Sequence, residues 1–487
     1  MKQDRFSSAI LPFIPSDRRK LHLLIIFITI TVQICCLALL FFDVPISMIL
    51  LIIIGLPLIF LLLSSVENFF ILIILYISCL PLQVYSTIYK GFTPVGTQTK
   101  YLYPFFVIFL IYWAFYLILR KRRINIGILG YTIIAYTCIA FFSFLLGLIN
   151  ANKNVLSVGK NELVPQIMYL SYFVFVTTKL KEKNFRLFFD FILVVSIVIG
   201  LQSIYAFPKN SISAFARIPT RNIHIALLAF SYVLGILYYA KSFKRKIVSV
   251  LVMLPISFTV LISLGRALWL VLGLICILSL FIFFYKKKFS LSKIIFIFTI
   301  VILIFSLLIF TAIFVLSRMT SGGAILVLLK RFISFANISY LKVDISAFQR
   351  MYEIKQAFSK LNGIQWLIGK GIGDTIFSQV RFFTKHYLDN SYAWVIWKMG
   401  IIGLFAFLSM FGVFFQRAIF LLRKLSDREE IIYVMAIFLN MFGLMIVALT
   451  NSCLVHYRFI MIWAVSMAMM EIIYRKYRNE NTIKLLK

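Results

Sequence analysis

Residues 241–293 read KSFKRKIVSVLVMLPISFTVLISLGRALWLVLGLICILSLFIFFYKKKFSLSK. Between the two basic clusters at its ends, residues 247–285 form a largely apolar run of 39 residues. A helix needs roughly 20 apolar residues to cross the hydrocarbon core of a bilayer, so this run predicts two transmembrane helices and almost no loop. The turn must lie at Leu264, Gly265 and Arg266, with both basic clusters on the same side of the membrane.

The whole chain has the composition of a membrane protein. Of its 487 residues, 62% are hydrophobic and only 14% are charged, with a mean hydropathy of +1.00. These values exclude an ordinary water-soluble domain. We therefore predict an all-α fold, a polytopic integral membrane protein of about 14 transmembrane helices on the 20-residue criterion. They are placed near 23–42, 45–63, 68–86, 101–119, 126–149, 163–178, 187–206, 223–240, 247–264, 267–285, 294–316, 392–416, 431–450 and 459–474.

Clusters of Lys and Arg fall at every second gap between the apolar runs, except at the gap that holds Glu67. They lie in the N-terminal segment, at 120–123, 179–186, 241–246, 286–293 and 417–428, and in the tail from Arg475. The positive-inside rule assigns these clusters to the cytoplasm. The pattern predicts a multi-pass protein of the cytoplasmic (inner) membrane with both termini cytoplasmic, and it explains most of the net charge of +34 without nucleic acid.

One outward connection is far longer than the others and divides the chain. We predict a membrane domain with helices 1–11 at residues 1–316, and an extracytoplasmic loop with catalytic residues at 317–390. Helices 12–14 and a cytoplasmic tail follow at 391–487. The loop is rich in polar, charged and glycine residues, so we expect the chemistry there.

The long loop is predicted to be partly helical. Residues 346–349 (SAFQ) match a capping box, which predicts a helix start, and the helix should end near Asn362 and Gly363. Within it, apolar side chains recur at spacings of three and four, which predicts one buried stripe: Met351, Ile354, Phe358 and Leu361. Arg350 and Glu353 share a different face of this helix.

Ionisable residues favour an enzyme over a transporter. No Asp or Glu falls at the middle of a predicted span, whereas ion-coupled transporters usually bury such groups there. Basic residues gather instead at the predicted outer face, at Arg217, Arg221, His224, Arg266, Arg350, Arg381, His386, His456 and Arg458. Guanidinium groups bind phosphate oxygens bidentately, so this grouping is typical of a site for a phosphate-bearing substrate. For each arginine, the structural alternative is pairing with lipid headgroups or with acids of the loops. This alternative is weakest for Arg266, because its turn is tight.

Two residues of the loop are candidate bases. His386 carries an imidazole that accepts a proton near neutral pH, and Asp389 competes with it, although a lone loop histidine is often incidental. Lys398 lies about two helical turns into the next predicted span, where it either snorkels outward or helps to hold phosphate. The six cysteines form no framework, so we expect no disulfide, no metal site and no cofactor.

Four stretches of sequence resemble the O-antigen polymerase and O-antigen ligase superfamily. They are LISLGRAL at 261–268, the progression RMY, AF and WLIGKGIG within 350–373, DNSY through GIIG at 389–403, and RIPTRN at 217–222. Ligases of that family commonly have a histidine directly before the residue that corresponds to Asn390. In this chain the residue directly before Asn390 is Asp389 instead of a histidine, and this difference mildly favours a polymerase.

The resemblance implies a metal-independent, inverting glycosyl transfer outside the membrane from a polyprenyl-pyrophosphate-linked oligosaccharide. Arg266 and Arg350 would stabilise the leaving pyrophosphate, and His386 or Asp389 would activate the acceptor hydroxyl. The substrate-binding residues would be Arg217, Arg221, Arg381, Asn390, Tyr392 and Lys398, with Tyr387, Tyr392 and Trp394 stacking on sugars.

The function expected from this resemblance is a polysaccharide polymerase for O-antigen, capsule or a related glycan. Its partners would be the lipid-linked oligosaccharides, the bilayer, a chain-length regulator and a flippase. A ligase acting on a different acceptor, a flippase or other transporter of lipid-linked glycan, and a scaffolding membrane protein are the alternatives.

Overall fold

A computed structural model describes residues 113, 117, 126–150, 158–177, 182–206, 223–263, 265–287, 345–378, 383–455 and 457–485. This part of the chain is predominantly helical. Its helices are α1 (Ile128–Ile149), α2 (Lys160–Ile167), α3 (Ser171–Thr177), α4 (Glu182–Ala206), α5 (Ile223–Tyr239), α6 (Phe243–Ile262), α7 (Arg266–Lys287), α8 (Ile345–Ser359), α9 (Gln365–Ile368), α10 (Ser391–Lys424), α11 (Arg428–Val447) and α12 (Tyr457–Leu485). A short 3₁₀ turn, Met168–Leu170, joins α2 to α3, and strands β1 (Ile376–Ser378) and β2 (Phe383–Lys385) form an antiparallel pair.

Wherever the structure describes a predicted transmembrane run, it contains helix. Within the described residues, five helices are long and apolar enough to cross a membrane: Ile128–Ile149, Asn184–Leu201, Arg266–Lys286, Ser391–Lys424 and Arg428–Val447. The shorter apolar helix His224–Tyr239 accompanies them. The first three predicted runs, the fourth apart from residues 113 and 117, the run at 294–316 and the loop residues 317–344 lie outside the described residues. The total of about 14 helices therefore stays a prediction.

The α6–α7 hairpin confirms the position of its predicted turn. Helix α6 ends at Ile262 and α7 begins at Arg266. Ser263 closes α6, because its Oγ donates to the carbonyl of Val260 at 2.6 Å and accepts from the backbone N–H of Gly265 at 3.3 Å. The tight turn therefore places Arg266 at the first position of a candidate membrane span.

Helix α10 bends sharply at Gly400, which the hydropathy pattern does not reveal. Gly400 has φ 69° and ψ −172°, a conformation that glycine adopts far more readily than other residues. The rings of Tyr392 and Phe407 lie only 6.2 Å apart, although fifteen residues of straight helix would separate them by about 22 Å. The first nine residues of α10 therefore fold back towards the rest of the helix.

Ion pairs and a hydrogen bond bring the described basic clusters together at one end of the bundle, which we call the basic end. Three basic residues contact groups near the α10–α11 connection: Arg245 pairs with Glu429, Lys286 donates to the carbonyl of Leu425, and Lys476 pairs with Glu430. Arg186 pairs with Asp190 within α4. The hydroxyl of Tyr232 links Arg245 to Asp190. These contacts agree with the prediction that the clusters share one side of the membrane.

Candidate functional site

At the opposite end of the bundle, helix α8 packs on the segment that carries His386 and Asp389. The carboxylate of Glu353 lies 2.7 Å from the Lys385 ammonium, and both side chains are almost completely buried. Gln349 Nε2 and Ser378 Oγ donate to the same carboxylate at 2.8 and 3.0 Å. Burying an ion pair is favourable only when its remaining hydrogen bonds are made, and here the acid has three donors. Glu353 therefore fixes β2 against α8.

One helical turn away, Arg350 and Asp389 form a more open pair. Arg350 Nε lies 3.7 Å from Asp389 Oδ2, and each side chain is about one quarter exposed. Among the described residues, no group accepts a hydrogen bond from the buried Nε–H. The exposed remainder of this guanidinium, at a partly open surface, is suited to bind a phosphate oxygen.

His386 lies between these pairs on the same segment. Burial, followed by the charges of Lys398 and Lys385, lowers the pKa of its imidazole from 6.5 to about 4. The ring meets Tyr387 edge-on, and the backbone carbonyl of His386 accepts from Trp394 Nε1 at 3.3 Å. His386 is therefore neutral at physiological pH.

The predicted apolar stripe on α8 is wrong in part. Met351 is 69% exposed, whereas Gln349, Glu353 and Ala357 are buried. The physical reason is the Glu353–Lys385 pair, because a paired acid inside the protein turns the polar face inward. The side-chain amide of Gln349, which the capping-box pattern assigned to the start of the helix, donates a hydrogen bond to Glu353. The helix itself ends at Ser359, close to its predicted end.

The glycine-rich segment, residues 365–374, lies between α1 and the bend of α10. The backbone N–H groups of Lys370 and Gly371 donate to the carbonyls of Trp397 and Lys398, and that of Ile372 donates to Ser143 of α1. Gly369, Gly371 and Gly373 all have positive φ. A Cβ on Gly371 would lie 2.6 Å from the backbone N of Gly147, so this approach requires glycine.

Lys398 does not snorkel to the surface. Its side chain is fully buried, and its Nζ lies 3.1 Å from both oxygens of Glu162 on α2. The ammonium also donates to the carbonyl of Asp374, while Glu162 accepts from the backbone N–H of Gly373 at 2.7 Å. The pair therefore joins α2, α10 and the glycine-rich segment, which argues against Lys398 as a phosphate ligand. Sequence reasoning did not single out Glu162, which lies between the predicted runs 126–149 and 163–178.

Asn390 and Tyr392 have structural partners. Asn390 caps α10 by accepting from the N–H of Ala393 at 2.9 Å, and its amide donates to the carbonyl of Leu449 at 2.9 Å. The Tyr392 hydroxyl donates to the carbonyl of Met445 at 2.6 Å. Trp394 is 2% exposed, so its predicted stacking on sugar is wrong in this structure.

The other predicted residues fall into two groups. Arg217, Arg221 and Arg381, like His456, lie outside the described residues. Arg266 is half-buried at the start of α7, in the part of the bundle formed by α5, α6, α7 and α11. Its joint action with Arg350 stays a prediction.

No protein-family model and no curated protein sequence matches this chain. The function must therefore be argued from the residues. Among them, Glu353 and Lys385 were not singled out as a pair by sequence reasoning. Their signals were a glutamate three residues after Arg350 and a lysine directly before His386, and neither signal identifies a partner 32 residues away.

Proposed function

We propose that this protein is a membrane glycosyltransferase, a polysaccharide polymerase that joins polyprenyl-pyrophosphate-linked oligosaccharide units outside the cytoplasmic membrane. The observation that carries the proposal is Arg350. Its guanidinium lies at a partly open surface beside Asp389, and Asp389 lies on the same segment as the neutral His386. The sequence resemblance and the apolar candidate spans support the same reading.

Arg350 would stabilise the departing pyrophosphate. In the transfer, the acceptor hydroxyl attacks the anomeric carbon, the bond from that carbon to the pyrophosphate oxygen breaks, and negative charge grows on the leaving group. A guanidinium positioned for that charge lowers the barrier by about 3 to 4 kcal/mol in comparable cases. Arg266 would add a second charge, and Arg217, Arg221 and Arg381 would guide the anionic donor.

The proton of the acceptor would pass to Asp389 or to His386. In the unliganded protein Arg350 holds the Asp389 carboxylate, and an incoming pyrophosphate would compete for the guanidinium and release that carboxylate. A pKa of about 4 makes His386 a weak base in the free protein. A bound pyrophosphate would oppose the charges of Lys398 and Lys385 and raise this pKa.

A transporter of lipid-linked glycan is the second candidate, and one observation favours it. Glu162 and Lys398 form a fully buried ion pair next to the broken helix α10, and buried charges at helix breaks are typical of transport pathways. The pair joins α2, α10 and the glycine-rich segment, however. We therefore interpret the pair as structural.

The test is turnover of a defined substrate. Purified protein is incubated with a polyprenyl-pyrophosphate-linked repeat oligosaccharide without added metal, and the products are separated by size. A ladder that stays attached to lipid is the expected result. Transfer only after a separate acceptor is added would replace the polymerase with a ligase, and movement of substrate across vesicles without turnover would favour the transporter.

A further inference from the structure

The glycine-rich segment is a wedge that points back into the helix bundle. Lys360 joins the two ends of the wedge, because its Nζ lies 3.3 Å from Asp374 Oδ1 and also donates to the carbonyl of Thr375. Between Lys360 and Asp374 the chain leaves the end of α8, forms α9 and turns back towards Lys360. On one side it meets α10 at the bend, where a Cβ on Gly400 would lie 2.1 Å from the Leu367 carbonyl oxygen.

The contacts with helix α1 show how far the wedge extends along a candidate membrane span. This helix of 22 residues is a candidate membrane span, and its exposed side chains are apolar up to Leu148 and Ile149. The wedge contacts α1 through the Ile372–Ser143 hydrogen bond and the close approach to Gly147. Ser143 lies about 9 Å along the helix axis from Ile149, so the wedge reaches below the end of the span.

The backbone N–H groups of the wedge are paired within the protein. Every N–H from Gln365 to Asp374 has a partner. Those of residues 365–369 bond within α9 and its flanks, those of 370–372 bond to α10 and α1, that of Gly373 bonds to Glu162, and that of Asp374 bonds to Gly371. Non-helical backbone at membrane depth needs its donors paired in this way, because lipid offers no hydrogen bonds.

The outer surface of the wedge exposes three large apolar side chains, beside the exposed Asn362 and the partly exposed Gln365 and Lys370. Ile364 is 67% exposed, Leu367 is 49% exposed and Trp366 is 39% exposed. The candidate spans on both sides of it expose apolar side chains as well, at Phe142 and Leu145 of α1 and at Ile401, Ile402 and Phe405 of α10. The apolar surface therefore continues from one span across the wedge to the next.

We infer that the glycine-rich segment is a re-entrant element of the membrane domain, and that Ile364, Trp366 and Leu367 contact the acyl chains of the bilayer. Part of the loop that sequence reasoning placed outside the membrane thus lies within it. The wedge brings Glu162 and Lys398 beneath a lipid-covered surface, which explains why these two charges are paired with each other. This inference does not depend on the proposed glycan chemistry.

The experiment uses tryptophan emission of the full chain in nanodiscs. The emission of Trp366 is taken as the difference between the native protein and Trp366→Phe. It is measured in ordinary lipid, in lipid brominated on the acyl chains, and with acrylamide in the water. We expect brominated lipid to remove most of this difference emission and acrylamide to leave most of it.

Two further variants keep the test decisive. Ile364→Trp adds a probe to the same surface without removing a native tryptophan, and it should behave as Trp366 does. Ser426→Trp places a probe in the exposed connection between α10 and α11 and should respond to acrylamide instead. Quenching of Trp366 and Ile364→Trp by acrylamide alone would overturn the inference, and so would quenching by neither agent, since a protein surface would then cover the wedge.

Discussion

Two ion pairs near the same end of the bundle differ in how they are enclosed. Lys398 and Glu162 are completely surrounded by protein and use their hydrogen bonds on α2, α10 and the glycine-rich segment. Arg350 and Asp389 are partly exposed and lie 3.7 Å apart. The difference separates a pair that holds the structure from a pair that has capacity for a ligand.

Removal of one partner of the enclosed pair should have the largest effect on stability. In Glu162→Ala the buried ammonium of Lys398 loses its counter-ion, and such losses typically cost about 3 to 5 kcal/mol. The double variant Glu162→Ala/Lys398→Met should regain much of that loss. Unfolding of the purified protein in detergent measures both changes.

A matched control for this prediction comes from the basic end. Glu429→Gln weakens the more exposed pair with Arg245 and should cost less than about 1 kcal/mol. If Glu162→Ala were as stable as the native protein but inactive, the enclosed pair would have a functional role and the transporter would gain support.

Loss of the open pair should affect activity instead. Arg350→Ala should lower the rate of glycan transfer by about 10² to 10³, the effect of removing one preorganised donor to a developing charge. Its unfolding should change little, because the side chain is partly exposed. Lys355→Ala on the exposed face of the same helix should leave the rate unchanged. Equal rates in the native protein and Arg350→Ala would remove Arg350 from the mechanism.

His386 should make stability depend on pH. Its pKa is lowered to about 4 in the folded protein, so between pH 4 and 6.5 the unfolded chain binds more protons than the native one. Stability is therefore full above about pH 6.5 and falls as the pH drops towards 4, by at most about 3 kcal/mol. In His386→Gln this part of the pH dependence should disappear from melting curves. An unchanged pH dependence would show that the imidazole titrates normally.

Tyr392→Phe should have the smallest effect. It removes the hydrogen bond to the Met445 carbonyl and keeps the ring, so we expect a loss of about 1 kcal/mol in stability and normal transfer rates. A rate defect without a stability defect would return Tyr392 to the substrate site.

The helices could be predicted because each depends on local hydropathy. The predicted runs 223–240 and 267–285 agree closely with α5, Ile223–Tyr239, and α7, Arg266–Lys287. The bend at Gly400 could not be predicted in the same way, because glycine occurs in straight membrane helices as well. At the bend, Gly400 lies close to the carbonyl of Leu367, a contact between segments that local hydropathy does not reveal.

The candidate site was predictable only in part. Arg350 and Asp389 were chosen separately by residue type, and the structure places them side by side. The Glu162–Lys398 pair could not be found, since 236 residues separate the partners. On α8, apolar spacing predicted a buried Met351, but the long-range partner of Glu353 decides which face is inside.

Binding of a polyprenyl pyrophosphate without sugar tests the central claim, that the open pair serves the substrate, most directly. Its dissociation constant is measured in nanodiscs for the native protein, Arg350→Ala and Lys355→Ala. We predict binding to the native protein and to Lys355→Ala, and at least about tenfold weaker binding to Arg350→Ala, since charge-assisted hydrogen bonds contribute about 1.5 kcal/mol or more. Equal dissociation constants for all three proteins would contradict the account.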